Sequence, residues 1–368
     1  MRTFDIAIVG AGGIAAVHAE SIRALGGRAR IVAVADVDRE RLTTFADAWS
    51  VSGRYTELEE LLDRESPDLI HLCTPPWLHA EQAISCLARG HTVLCEKPPT
   101  VSLAELGTIE AAAAAGGGRF ATVFQHRFGS GARTIRRLVG DPRFGRPLTA
   151  VCHTLWLRTD EYLTVPWRGK WDTEGGGPTM GHGIHQFDLL LSVLGPWREV
   201  IGVAARLARP TATEDLSCAI VTFDSGAVAT VVNSLLSPRQ TSYLRFDFEH
   251  ATVELEHLYG YADSDWRVTA APGHEAEVAA AWAEGPAGQP SGHTAQLTAV
   301  LDALENGADV PVSIPDTMAT MKLIAGIYAS AFTGVPVERG QIGPESPFYG
   351  RMDGIGAPWP DPLEVTVP

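Results

Sequence analysis

FDIAIVGAGGIA, residues 4–15, sets a short apolar run against a glycine-rich turn. Residues 6–9 read as a buried parallel strand. Gly10-Ala11-Gly12-Gly13-Ile14-Ala15 has the G-x-G-x-x-A spacing, and a helical pattern over residues 14–25 follows at once. Strand, tight turn and helix start in this order make a dinucleotide-binding fingerprint. Gly10 permits the turn, Gly12 lets the backbone approach a pyrophosphate, and Ala15 keeps helix and strand close. The amides at Gly13 and Ile14, with the positive end of the helix dipole, suit phosphate oxygens. A second strand at residues 30–35 ends in Asp36, about 20 residues past the turn, where a carboxylate meets the ribose hydroxyls of NAD. That carboxylate repels a 2′-phosphate, so NAD is expected. Arg39 keeps NADP as the alternative; its other readings are a contact with adenine or a solvated residue of the first helical turn.

The chain has 368 residues, enough for two domains with separate cores. It carries 29 basic and 44 acidic residues, a net charge of −15, which speaks against nucleic acid and anionic membranes as partners. No apolar run approaches the ~20 residues of a membrane helix. A strand starting at Phe4 leaves no room for a signal peptide. Cys73, Cys86, Cys95, Cys152 and Cys218 show no C-x-x-C spacing. Neither disulfides nor a metal site is expected, and free thiols in a reducing cytoplasm are.

Helices at residues 39–49, 57–62, 79–89 and 104–115 alternate with strands at 68–73, 92–95 and 120–124. That alternation predicts a doubly wound parallel sheet, a Rossmann domain over residues 1–124. Ligands bind such sheets outside the carboxyl ends of the strands. Thr74-Pro75, Glu96-Lys97 and Gln125-His126-Arg127 all follow strand ends and are expected near the nicotinamide. Residues 125–368 read as an α+β domain with an open, mainly antiparallel sheet. Its strands are expected at residues 147–158, 201–209, 216–223, 227–234, 243–248 and 251–255, with Asp224-Ser225-Gly226 as a hairpin turn. A long helix is expected at residues 183–194. Residues 270–292 read as a surface loop with a short helix, residues 294–306 and 317–333 as closing helices with the option of packing back on the first domain, and the tail after Pro336 as an extended wrap.

Two places bear chemistry. Lys97 sits at a strand end between Glu96 and Pro98, where an ammonium group suits an alcohol or carbonyl oxygen; a surface lysine closing a turn is the plain alternative. Trp167, Arg168, Lys170 and Trp171 precede a glycine-rich stretch that leads into His182, His185 and Asp188. The aromatic and cationic residues suit a polyol, or else a packed domain junction. His185 and Asp188 share a helix face, and an imidazole there suits proton transfer near neutral pH.

These pieces resemble the glucose–fructose oxidoreductase / inositol dehydrogenase (Gfo/Idh/MocA) family: residues 10–15, Asp36, Thr74-Pro75 with His79, Glu96-Lys97-Pro98, and Gly175-Gly176-Gly177 followed by Gly183-Ile184-His185 and Asp188. Glu-Lys-Pro is the most specific of them. The resemblance implies NAD(P)-linked oxidation or reduction at a secondary alcohol of a sugar, sugar derivative or cyclitol. It implies Lys97 as acid/base or orienting residue and His185 as the proton-transfer residue. Gly10, Gly12, Gly13, Ile14, Asp36, Arg39, Thr74, Pro75, His79, Glu96, Lys97 and Gln125 would hold the cofactor. Arg127, Trp167, Arg168, Lys170, Trp171, His182 and His185 would line the substrate, and a homodimer or homotetramer would form through the second sheet. The family's Asp-x-Gly-x-His carries Gly181 in place of its aspartate here; His182, Asp172 and Glu174 are the candidates to replace it, with His182 as an added catalytic candidate. The loss favours a non-catalytic dinucleotide- or sugar-sensing regulator as the rival outcome; a NAD-assisted glycosidase is a different enzymatic one.

Overall fold

Residues 2–360 are described by the computed structural model. The first unit comprises Met1–Thr100, Glu105–Val123 and His293–Thr317. Its sheet contains β1 (Phe4–Val9), β2 (Ala29–Ala35), β3 (Gly53–Tyr55), β4 (Leu69–Leu72), β5 (Val93–Cys95) and β6 (Phe120–Thr122), in the order 3-2-1-4-5-6 and all parallel. Ile6, Ile8 and Leu69 are fully buried, as strands covered on both faces require. β3 is an edge strand that the sequence reading lacked; Gly-Arg-Tyr has no apolar run to announce it. The helix expected from residue 79 begins at Pro76 and runs to Ala88. Proline fits a first helical position because its missing N–H has no partner there anyway.

The first unit also takes in residues from beyond the division expected at residue 124. The helix His293–Glu305 belongs to the first unit, where Leu297, Val300 and Leu301 share a core with Phe4, Ile22 and Leu42. Gln296 donates to the Thr122 carbonyl at 2.7 Å, and Thr122 donates to the Val312 carbonyl at 3.1 Å. Val101–Ala104 in turn belongs to the second unit.

The second unit comprises Val101–Ala104, Phe124–Gly292 and Met318–Pro368. Its strands are β7 (Pro147–Leu157), β8 (Trp197–Ala205), β9 (Leu216–Phe223), β10 (Val228–Ser234), β11 (Leu236–Phe248), β12 (Ala251–His257), β13 (Trp266–Ala270) and β14 (Val337–Glu338). The order is 13-12-11-7-10-9-8-14, and only β7 and β10 pair in parallel. β8 begins and ends four residues before its expected place. Trp197 is buried at its start, and the amides of Leu207, Ala208 and Arg209 turn away to the Asp215 carboxylate at 2.7–2.9 Å. The hairpin at Asp224-Ser225-Gly226 is present, closed by Gly226 N–H to the Phe223 carbonyl at 3.0 Å. The helices Ser130–Leu138, Ile184–Leu194 and Glu275–Ala283 lie in this unit, as does Ile314–Thr333 from Met318 onward. β13 and β14 were not expected. The expected tail reaches beyond the described residues at 361–368.

Candidate active site

In the first unit the glycine turn follows β1 directly. Gly10 has φ +91°, and a Cβ there would meet backbone atoms of Cys73 and Thr74 at 2.9 Å. Only glycine fits. At Gly12 and Gly13 a Cβ would meet nothing within 4 Å, so this face of the turn is open to a ligand. Ala15 is fully buried, and Ile14 partly so. The residues thus fit a dinucleotide: a tight turn, an open amide face and a carboxylate at the end of β2.

That carboxylate is already organised. Asp36 accepts the Ala11 and Asp38 amides at 2.8 Å each, and Arg41 Nε and Nη2 at 3.0 and 2.7 Å. Burial works to raise its pKa, but these bonds outweigh it and hold the carboxyl below its ordinary value. Arg41, not Arg39, is therefore the guanidinium that pairs with Asp36. The sequence reading missed Arg41, although its place one helical turn from Val37 pointed back toward Asp36. Arg39 is exposed.

Thr74 donates to Gln82 Oε1 at 2.5 Å. His79 is fully buried, with Nδ1 2.9 Å from the Pro98 carbonyl and Nε2 2.7 Å from the Thr74 carbonyl. Its ring thus sits between the carbonyls of two strand-end loops and donates to one of them. Burial lowers its pKa. Glu96 also turns inward. Its Oε1 meets His18 Nε2 at 2.9 Å and His293 Nε2 at 3.1 Å, and its Oε2 accepts the Lys97 amide at 3.0 Å. Burial pushes the Glu96 carboxyl up, but the bonds from His18 and His293 prevail and hold it well below its usual range. Lys97 itself is partly buried.

In the second unit, His185 lies in the first turn of the helix Ile184–Leu194 and is buried. Its ring is 4.8 Å from that of His126 and 5.8 Å from that of Tyr259. Asp188, one turn on, pairs with Arg127 Nε at 2.6 Å. Arg127 is thus engaged by a carboxylate of its own unit. Gln125 donates to Tyr259. His182 stands edge-on to Trp156 at 4.9 Å and beside Tyr162 at 5.9 Å. Trp156 and Tyr259, 6.1 Å apart, link the two imidazole groups into one wall. Sequence reasoning missed Trp156, Tyr162 and Tyr259, which come from β7, the short helix Asp160–Leu163 and the bend after β12.

Arg168 lies 4.0 Å over the Tyr162 ring and 4.3 Å over the Trp167 ring, with Glu174 at 2.9 Å. Lys170 is exposed. Trp171 packs on Tyr328 at 5.1 Å and donates to the Ala212 carbonyl at 2.9 Å, both within its own unit. Of the candidates to replace the aspartate at Gly181, Asp172 is exposed and paired with Arg351. Glu174 is buried, and a Cβ built at Gly181 would lie 3.5 Å from its Oε1. Aromatic faces and imidazoles with a few cations suit a hydroxylated ring and proton transfer.

Two family models match the chain: the oxidoreductase family with NAD-binding Rossmann fold over residues 4–124, and the GFO/IDH/MocA C-terminal domain over residues 132–254. D-apiose dehydrogenase of Paraburkholderia graminis is 26% identical over 366 residues, 94% of this chain and 92% of the relative. Myo-inositol 2-dehydrogenase of Thermotoga maritima is 24% identical over 62% of this chain and 68% of its own. Other curated relatives are matched over 51–66% of their length. The WlbA dehydrogenase of Bordetella pertussis, crystallised with NADH and UDP-GlcNAcA, is 26% identical with a TM-score of 0.81, over 92% of this chain and 99% of that one.

Proposed function

The chain belongs to the Gfo/Idh/MocA oxidoreductase family, and on that premise we propose that it oxidises or reduces a secondary carbinol of a sugar, sugar derivative or cyclitol with NAD. The observation that carries the reading is the open turn at Gly12 and Gly13 beside the ordered Asp36 carboxylate. The turn amides would hold the pyrophosphate and Asp36 the ribose. Bound NAD supplies a hydride acceptor at nicotinamide C4. His185 takes the proton of the reacting hydroxyl, and Lys97 hydrogen-bonds the same oxygen. Glu174 provides the carboxylate that Gly181 lacks, and Arg168 with the Trp156–Tyr259 wall holds the ring. The relatives' names, dehydrogenases of sugars and cyclitols, support this enzyme over the sensor and the glycosidase.

Oligomer and compartment belong to the same proposal. Ile201, Val203 and Ile220 are 49, 64 and 50% exposed, and Ile201 and Ile220 are cross-strand partners. Such a strip supports a homodimer or homotetramer through the second sheet. Five free cysteines support a reducing cytoplasm. The test of the activity is a panel of sugars, sugar acids and cyclitols with NAD, followed by NADH absorbance. NADH formation with at least one secondary alcohol is expected. Tight NAD binding with no turnover across the panel points to the sensor instead.

A further inference from the structure

Four side chains from separated segments meet inside the first unit: His18 from the helix Gly13–Ala24, His71 from β4, Glu96 after β5, and His293 from the helix His293–Glu305. His18 Nε2 and His293 Nε2 converge on one oxygen, Glu96 Oε1, at 2.9 and 3.1 Å. One donor atom from each of these three residues lies within 4.8 Å of the others. Two imidazole nitrogens and a carboxylate oxygen are a donor set for zinc and its first-row neighbours. Behind His18, its Nδ1 lies 2.8 Å from His71 Nδ1. Ligating histidines commonly use their second nitrogen in this way.

Hydrogen bonds alone leave the cluster incomplete. A neutral His18 that donates from Nε2 to Glu96 accepts at Nδ1 from His71. His71 Nε2 is then a bare acceptor, and it has no partner among the described residues. Gln296 Oε1 is a second buried acceptor without one. Both side chains are 1% exposed, and both line one narrow cavity with His18 and His293 that has no room for water. Two acceptors thus border a space whose one hydroxyl, on Ser21, donates to the Val17 carbonyl at 2.9 Å. A cation at Nε2 reverses the tautomers: His18 donates from Nδ1, and the His71 proton moves to Nε2, toward the cavity that Gln296 also borders.

We propose that His18, Glu96 and His293 form a binding site for a divalent transition-metal ion, with His71 as outer partner. The ion would fix the carboxylate whose other oxygen holds the Lys97 amide. The site goes beyond the dehydrogenase reading and does not depend on it. The test uses the full chain stripped with EDTA, titrated with Zn²⁺ by calorimetry and with Co²⁺ by visible absorbance. One equivalent of Zn²⁺, strong visible bands of a low-coordinate Co²⁺ ion and a raised melting temperature are expected. His293→Ala should weaken binding at least about 100-fold, and His71→Leu by about 10–100-fold. The absence of stoichiometric binding overturns the proposal, as does binding unchanged in His293→Ala. If that variant fails to fold, the wild-type spectrum decides: weak bands of an octahedral Co²⁺ ion contradict the site.

Discussion

Asp36 shows what a single side chain does at the cofactor end. Its two oxygens accept two amides and a bidentate guanidinium, which fixes the carboxylate before any ribose arrives. Asp36→Ala should weaken NAD binding and narrow its margin over NADP, measured by titration with each. NADP binding tighter than NAD in the unmodified protein would contradict this, and would point to Arg41. Lys97→Ala and His185→Ala should each lower kcat by about 10²–10⁴-fold, roughly 3–5 kcal/mol of barrier. Removing both should be little worse than the poorer single, because residues acting on one oxygen are not additive. Additive losses would separate their roles. Glu174→Gln should cost roughly tenfold in kcat and move the acid limb of the pH–rate profile to lower pH, since a lost carboxylate lowers the pKa of a nearby base. An unmoved limb would leave Glu174 merely structural. The glycine turn and Asp36 were legible because local spacing defines them, whereas Lys97 and His185 were singled out by the family resemblance. The inward turn of Glu96 was not legible, since its partners lie 78 and 197 residues away.

Among the elements, the glycine-rich run before the helix Ile184–Leu194 answers to packing. A Cβ at Gly177 would stand 1.9 Å from the Glu214 carbonyl oxygen, and one at Gly183 2.3 Å from Asn233 Oδ1. Gly177→Ala should therefore destabilise by about 3 kcal/mol or more, read as a lowered denaturation midpoint; a neutral result would show that the backbone before β9 yields at Glu214. Glu214 holds the same run, accepting Gly177 and Thr179 amides at 3.0 and 3.1 Å and Tyr328 Oη at 2.8 Å. Burial, only partly offset by these bonds, raises its pKa above the ordinary 4.5. The folded state then binds its proton more tightly than the unfolded state, so stability falls as pH rises through this window. The stability of the wild type relative to Glu214→Gln should decline from pH 4.5 upward; a flat or rising difference would contradict the assignment. Long apolar runs such as β1 and β9 could be read from sequence. β3 and β14, of three and two residues, carry too few side chains to show a period.

Over the whole molecule, the chain leaves its first unit after Val123 and returns to it at His293. The helical pattern over residues 294–333 carries that return only as an option, because no local pattern fixes which core a helix joins. Residues 1–124 expressed alone lack the helix His293–Glu305 and expose the core that Leu297, Val300 and Leu301 fill. That fragment should lack a cooperative unfolding transition, and joining residues 288–318 to it should restore one. A cooperative transition in the short fragment would deny the helix its place in the core. Leu301→Ala in the full chain should cost about 2–5 kcal/mol. Paired lysines at Ile201 and Ile220 should shift light-scattering mass toward the monomer; an unchanged mass would remove this sheet from the assembly. The central claim, hydride exchange between NAD and a secondary carbinol, is tested most directly with NADH deuterated at nicotinamide C4 and a panel of keto sugars and ketocyclitols. Mass spectrometry should find one deuterium on the new carbinol carbon of at least one product, and far less with His185→Ala. Label that stays on the cofactor with every ketone would contradict the account.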